Sequence, residues 1–291
     1  MTDVQKPKAR SAKRATFLFK AWGRFKKNTL VLLGLAILIV IFIMAVAAPI
    51  IAPYNPNKIN YGHIYDPPNS QFLLGTDGVG RDILSRIIYG ARSSLIVGIV
   101  SVSISITIGI SIGSISGFFG GPVDTILMRF TDMIMTIPSL FFNIILVSIF
   151  RMKGLGIVMA VIGLLGWAGM ARVVRSEVLS LKQRAYVEAS RSMGEKEIIT
   201  LFKEVLPNTI TPITIMATMR MGRSILIESS LSWLGLGDPS VITWGRMLAS
   251  GQSVLNVAWW IATYPGLFIF LTVLSFNLLG DGLRDALDVR I

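Results

Sequence analysis

The sequence contains no cysteine, a single histidine and few charged residues. Without cysteine, the chain forms neither disulfides nor thiolate metal sites. One imidazole does not select a transition metal, so we expect no nickel site at His63 and no metal site elsewhere. Charged residues make up 15% of the chain, against about a quarter in a soluble domain. These absences exclude a disulfide-stapled protein and disfavour a soluble one.

Motifs of nucleotide-binding proteins and common hydrolases are also absent. No segment has the form GxxxxGK[ST], and Gly235 and Gly237 lack the strand-turn-helix context of a dinucleotide site. No Ser/His/Asp set or pair of catalytic acids is recognisable. We therefore expect a non-catalytic chain that binds no cofactor itself. Any energy that it uses must come from another chain or from an ion gradient.

Apolar residues, in contrast, make up 53% of the sequence. Several apolar runs approach the ~20 residues that a helix needs to cross a bilayer, and the alternating ten-residue strands of a membrane barrel are absent. The sequence predicts an all-α polytopic membrane protein. We expect six transmembrane helices, at about 29–51, 95–118, 138–150, 155–174, 210–233 and 257–279.

The net charge of +12 is concentrated in two places, the tail 1–28 and the loop 172–203. Cytoplasmic loops carry an excess of Lys and Arg, so both regions are predicted to lie inside, with both termini in the cytoplasm. Arg151 and Lys153, in a short outer turn, are an exception. The first apolar run is too long for a cleavable signal peptide. We expect a multi-pass protein of the bacterial cytoplasmic (inner) membrane.

Three regions follow from this pattern. Residues 1–28 form a basic cytoplasmic tail. Residues 29–93 comprise the first transmembrane helix and an extracytoplasmic loop, which ends in an amphipathic interfacial helix beginning at Asp82. Residues 94–291 form a core of five transmembrane helices with a cytoplasmic loop at 184–208.

Two patterns in the core predict helix contacts. The second span is rich in small residues that allow close helix packing; they include Gly98, Gly109, Gly113 and Gly117. Further along, Arg129 and Asp132 are three residues apart and predict an ion pair near the inner surface.

The segment Tyr186–Asn208 is strongly charged and predicts helix, turn and helix. Gly194 suits a left-handed reversal, and Pro207 marks a boundary. The second helix has apolar residues at helical spacing: Ile198, Ile199, Leu201, Phe202 and Val205. From the pattern alone, this unit is either a cap on the lipid surface or a docking element for a soluble partner.

This segment closely resembles the cytoplasmic coupling motif of the membrane subunits of bacterial ATP-binding-cassette importers, E-A-A, three residues, G, then I-x-L-P or a near variant. Here Ser190 replaces the third-position alanine, and Val205 stands where isoleucine is usual. The matching residues and their neighbour are Glu188, Ala189, Ser190, Gly194, Glu195, Leu206 and Pro207. The resemblance implies that they dock on an ATPase subunit.

Three further stretches resemble the C-type permease subunit of dipeptide and oligopeptide importers. They are the segment from Gly75 to Leu95, the loop from Leu231 to Leu248 with its LSWLGLG and WGRML motifs, and the C-terminal FNLLGDGLRDALD from Phe276 to Asp288. With the coupling motif, the resemblance extends from about residue 25 to the end. Nickel, glutathione and some oligosaccharide importers share these motifs.

The resemblance implies a type I ABC importer permease fold with a cytoplasmic coupling helix. It also implies a second, homologous permease subunit, two ATPase subunits that bind ATP and Mg²⁺, and an extracytoplasmic substrate-binding protein. The chain would form half of a path for dipeptides or oligopeptides. The alternative from another class is a gradient-driven transporter or channel, which predicts inverted repeats; no convincing repeat is present.

Charged residues within the fifth span are candidates for the translocation path, because intramembrane charges usually face a cavity or a partner. They are Arg220, Arg223 and Glu228. The two arginines share a helix face and could contact a carboxylate of a peptide. Alternatively, they form a structural ion pair with Glu228 or with the partner subunit, or extend towards the outer surface.

Overall fold

The computed structural model describes residues 23, 25, 26, 28–149 and 154–287. Most of the predicted tail, the outer turn at Arg151 and Lys153, and the C-terminal residues 288–291 lie outside these residues. In the described part of the chain, the secondary structure is helical, apart from one isolated β-bridge between Thr76 and Asp82.

Eleven α-helices occur within the described residues. They are α1 (Thr29–Val46), α2 (Ala48–Ile51), α3 (Ile83–Phe119), α4 (Gly121–Thr136), α5 (Ser139–Ile149), α6 (Leu155–Lys182), α7 (Ala185–Ser192), α8 (Glu197–Thr200), α9 (Ile210–Trp233), α10 (Trp244–Gly251) and α11 (Trp260–Leu287).

Four of these helices, α1, α3, α6 and α11, are long and apolar enough to cross a membrane. Helices α4 and α5 together make a fifth candidate, bent by 89° at their junction. The third span predicted at 138–150 corresponds to α5, whose 11 residues extend only about 17 Å and cannot cross alone. Helix α9, the predicted fifth span, is 24 residues long, roughly 36 Å. Its two arginines lower its hydropathy, so the described residues give four or five candidate spans without it rather than the six predicted.

The predicted interfacial helix is not a separate element. Helix α3 is continuous over 37 residues and begins where Asp82 caps it, its carboxylate accepting a hydrogen bond from the Ser85 amide at 2.8 Å. Ile83, Ile87 and Ala91 are buried in a core cluster that includes Trp244 of α10. The apolar face that the sequence predicted therefore packs against protein rather than lipid.

The small residues of α3 make the close helix contacts that were predicted: Gly109, Gly113 and Gly117 lie against α6, and Gly98 lies against α9. A Cβ atom on Gly109 would lie 2.6 Å from Cβ of Met170, and one on Gly113 would collide with the carbonyl oxygen of Ala171. Ser105 donates a hydrogen bond to the Gly163 carbonyl at 2.9 Å. Close backbone approach therefore joins these two long helices.

The segment before α3, residues 52–82, folds onto the ends of α3 and α11. Asp77 accepts hydrogen bonds from the Val79 and Arg81 amides and from Arg81 Nε, at 3.0, 2.9 and 2.7 Å. Trp260 Nε1 donates to the Thr76 carbonyl at 3.1 Å. His63 contacts Asp66, and the described residues contain no cluster of three His, Cys, Asp or Glu that could hold a metal.

The predicted ion pair between Arg129 and Asp132 is not formed, so this prediction is wrong. Asp132 pairs with Arg172 of α6 at 2.6 Å. A second pair joins the same two helices, because Arg175 binds both carboxylate oxygens of Asp124 at 2.5 and 2.6 Å. The spacing along α4 would allow the predicted pair, but the neighbouring helix supplies the cation instead.

Candidate functional site

The predicted helix-turn-helix segment is present. Helix α7 ends at Ser192, and Gly194 reverses the chain in the left-handed region, with φ of +81°. The second helix is less regular than predicted: α8 continues as a π turn at Leu201–Val205 and a 3₁₀ turn at Leu206–Asn208. The ring of Pro207 would clash with the carbonyl four residues earlier in a regular α-helix, and the irregular turns accommodate it.

One face of this segment is anchored to the helical core. Val187, Leu201 and Val205 are buried in a cluster with Phe118 of α3 and Val178 of α6. Burial of each such side chain contributes roughly 1.5–3 kcal/mol. The segment is therefore held firmly against the C-terminal ends of α3 and α6.

The other face is exposed and carries apolar residues. Met193 is 80% exposed and Phe202 63% exposed, and Ile198 is also exposed. Glu188 and Ala189 of α7 are exposed as well. The single apolar stripe predicted from the sequence is thus divided between two faces, with Leu201 and Val205 buried and Ile198 and Phe202 exposed.

Polar contacts across the turn connect α7 to the second helix. The Ser190 hydroxyl donates to Glu195 Oε2 at 2.7 Å, and Lys203 Nζ donates to Oε1 at 3.1 Å. These bonds, that from Ser190 first, hold the pKa of Glu195 below its usual value. Ser190 is therefore more than a small substitute for alanine, since its hydroxyl connects the two halves of the segment.

A second candidate site is a cavity of about 220 Å³ between the α4–α5 bend, α6 and α9. Arg220 and Arg223 of α9 line it, together with Asn143 of α5. Cβ atoms on Gly166 and Gly169 of α6 would lie 2.8 Å from Nη1 and Nη2 of Arg220. The absence of side chains at these two glycines leaves the room that the guanidinium occupies.

Neither arginine of this cavity forms an ion pair within the described residues. Arg220 Nε and Asn143 Oδ1 are buried and have no hydrogen-bond partner there. The amide nitrogen of Asn143 donates to the Ser139 carbonyl at 2.6 Å. The cavity thus combines two uncompensated positive charges with one unsatisfied acceptor.

Glu228, the third predicted path residue, is turned towards different partners. It is 1% exposed and accepts hydrogen bonds from Ser232 at 2.7 Å and from Thr243 at 2.8 Å. The ion pair between Glu228 and the arginines, which the sequence pattern allowed, is not formed. Glu228 connects α9 to the loop before α10.

Sequence reasoning missed Asn143, Gly166 and Gly169. The only local signal for Asn143 is that it is a polar residue in an apolar segment shortly after Pro138. The glycines carry no local signal, because their role depends on a guanidinium from a helix much later in the chain.

Two family profiles match the chain. Residues 109–291 match the binding-protein-dependent transport system inner membrane component, and residues 16–68 match the N-terminal TM domain of oligopeptide transport permease C. Together these profiles cover most of the sequence.

Curated relatives match over nearly their whole length. The dipeptide transport system permease protein DppC of Bacillus subtilis is 39% identical over 97% of this chain and 89% of its own. The oligopeptide transport system permease protein OppC of the same organism is 39% identical, over 96% and 92%. The glutathione transport system permease protein GsiD of Pectobacterium atrosepticum is 41% identical, over 93% and 90%.

Among solved structures, a chain from inward-facing conformations of the MetNI methionine ABC transporter has a TM-score of 0.57 at 15% identity, over 70% of this chain and 97% of that one. This likeness shows the type I ABC importer permease fold. Taken with the profile over residues 109–291 and the near full-length relatives, it shows that the chain belongs to the family of inner membrane components of binding-protein-dependent transport systems.

Proposed function

We propose that this chain is the C-type permease subunit of an ATP-driven importer and forms half of its path for dipeptides or oligopeptides. The names of two near full-length relatives support a peptide substrate. Glutathione, itself a small peptide and the substrate named for another relative, is the second candidate. The sequence motifs are also compatible with nickel or an oligosaccharide as the substrate.

The proposed importer contains a second, homologous permease subunit, two ATPase subunits that bind ATP and Mg²⁺, and an extracytoplasmic binding protein. This chain has no catalytic role in the proposal. The basic tail and the loop at 172–203 support an orientation with both termini in the cytoplasm, which puts the segment 184–208 on the side where ATP is available.

The observation that carries the proposal is the two-sided construction of that segment. Its inner face is packed on α3 and α6, while its outer face exposes apolar groups beside Glu188 and Ala189. Exposed apolar patches mark interaction sites. We assign this outer face to the ATPase contact.

The remaining predicted residues have supporting roles in this proposal. Gly194 provides the reversal, and Ser190 and Glu195 brace the turn. Leu206 and Pro207 lie directly before α9. Movement imposed on the segment by the ATPase would therefore reach α9, and the arginines that it carries, without an intervening flexible loop.

The test uses the complete importer in proteoliposomes, with ATP hydrolysis and peptide uptake measured together. Glu188→Lys should reduce uptake about tenfold or more, the size of effect expected when a charge is reversed at a contact, and abolish the stimulation of ATP hydrolysis by the loaded binding protein. Gly194→Pro should do the same, because proline cannot adopt φ of +81°. Asp281→Lys, at an exposed acid outside the segment, is the matched control.

Normal uptake and normal stimulation in both variants, with the complex assembled, would refute the coupling role. The gradient-driven alternative has its own signature. It predicts uptake that continues without ATP and stops when an ionophore collapses the ion gradient.

A further inference from the structure

We propose that the cavity between the α4–α5 bend, α6 and α9 binds a carboxylate of the substrate in transit, with Arg220 and Arg223 as the binding residues. The inference rests on the proposed import of peptides and deepens it, because it assigns the group of the peptide that this subunit contacts. A peptide carries such a carboxylate at its C-terminus.

The cavity is positively charged. Two arginines three residues apart line it, and no acidic side chain of the described residues pairs with either. Intramembrane charges normally pair or mark a pathway. Arginine presents planar donors that match a carboxylate bidentately, so a carboxylate is the ligand that this arrangement suits.

Position along α9 indicates where the anion comes from. Arg220 lies ten residues after Ile210, about 15 Å into a helix that is roughly 36 Å long. Phosphates of lipid headgroups lie at the bilayer surface, outside a hydrocarbon core of about 30 Å. A carboxylate at mid-depth must therefore arrive through an aqueous path or from a protein side chain.

The geometry of the cavity is also prepared for a ligand. Gly166 and Gly169 leave room for the guanidinium of Arg220 beside α6. Asn143 also lines the cavity, and its Oδ1 is buried without a partner among the described residues. The volume of about 220 Å³ is below the ~300 Å³ at which pockets for drug-sized ligands begin, so it suits one end of a peptide.

The second possible source of a carboxylate is an acidic side chain of the partner permease subunit. Such a residue would occupy the arginines permanently in the assembled importer. A substrate carboxylate would leave them available between transport cycles. This difference is measurable.

The chain contains no cysteine, so one introduced thiol reports on the cavity. Ser139 lines the cavity and is exposed. We would label Ser139→Cys in the assembled importer with anionic sulfonatoethyl and cationic trimethylammonioethyl methanethiosulfonate, and follow the mass of this chain. Ser70→Cys, exposed in the segment 52–82, is the control.

We expect the ratio of anionic to cationic labelling rates to be about tenfold higher at Ser139→Cys than at Ser70→Cys, because clefts of one charge concentrate counter-ions. Adding Arg220→Gln and Arg223→Gln should return the ratio to that of the control, whereas Arg220→Lys should retain most of it. Thermal melting of each assembled variant checks the fold. An unchanged ratio in the wild-type background, as a neutralising partner carboxylate would produce, overturns the proposal.

The second arm identifies the source. Trialanine as the free acid and as its C-terminal amide are each added to the detergent-solubilised importer without binding protein, so that recognition by that protein does not enter. The free acid should slow anionic labelling at Ser139→Cys, and the amide should not. Equal protection by both, or protection by neither, overturns the proposal. Neither labelling experiment measures uptake. Failure of the proposed peptide import would instead appear in the uptake assay with proteoliposomes.

Discussion

Helices α6 and α9 each carry two arginines three residues apart, and the two pairs differ in their surroundings. Arg172 and Arg175 of α6 both have acidic partners on α4, at 2.6 and 2.5 Å. Arg220 and Arg223 of α9 have none within the described part of the chain. The same spacing thus gives two fixed charges in one helix and two uncompensated charges in the other.

The difference shows what each pair can do. The α6 arginines join α4 to α6, and removing one would leave a carboxylate without its cation. The α9 arginines bear an electrostatic cost and contribute no ion pair between helices that offsets it. A charge that is kept without a structural partner in an apolar segment points to a ligand, and the proposed carboxylate site follows from this contrast.

The largest expected effect comes from breaking the stronger α6 pair. Arg175→Gln should lower the free energy of unfolding by about 2 kcal/mol, less than the 3–5 kcal/mol of a fully buried pair, because this one is partly exposed. Arg220→Gln should leave stability unchanged or raise it. Denaturant titration of the solubilised importer measures both, and equal losses would abolish the contrast between the helices.

Introducing a carboxylate at the cavity should give the arginines of α9 an ion-pair partner, as the arginines of α6 already have. Ser139→Asp places a carboxylate at the cavity and should stabilise the protein by about 1 kcal/mol, while lowering peptide uptake. Ser139→Asn is the control for size and polarity. The gain should vanish when Arg223→Gln and Arg220→Gln are added, and a gain that persists would place the effect at the start of α5 instead.

A smaller effect is expected at the other α6 arginine. The ion pair between Arg172 and Asp132 is about half exposed, at 50% and 47%. Arg172→Gln should therefore cost only about 0.5 kcal/mol. A loss as large as that from Arg175→Gln, measured in the same titration, would contradict this ranking of the two pairs.

The smallest effect concerns the paired charge of Glu195 in the segment 184–208. The hydrogen bond from Ser190 keeps the pKa of Glu195 below its ordinary value, so its contribution is present above the ordinary carboxyl pKa and is lost as the pH falls. Ser190→Ala should slightly lower the melting temperature at pH 7, and the difference from wild type should shrink towards about pH 4, near the ordinary carboxyl pKa. A difference that is constant with pH would assign the effect to packing.

Local signals predicted much of the fold and of the segment 184–208. Apolar runs predicted the membrane class, Gly194 its left-handed turn, and the small residues of the second span its close contact with another helix. Each of these depends on the chemistry of a few neighbouring residues: their hydropathy, the lack of a Cβ atom, or helical spacing.

Other features depended on which distant residues meet. The partner of Asp132 lies 40 residues away, on α6. Within the apolar stripe at 198–205, Leu201 and Val205 are buried in the cluster that contains Phe118, whereas Phe202 is exposed. No local pattern states which helix will lie opposite a side chain, and the sequence therefore left these contacts open.

The sequence by itself determined that this is a polytopic helical membrane protein with a reversal at Gly194, because hydropathy and backbone freedom are properties of the residues themselves. It also put two arginines on one face of α9. Only the tertiary structure decided that no acid of the described chain meets them and that Gly166, Gly169 and Asn143 complete a cavity around them. Whether a charge has a counter-ion depends on which residues lie near it in space. Around these arginines, the neighbouring residues come from α5, α6 and α9, and the sequence does not state how these helices pack together.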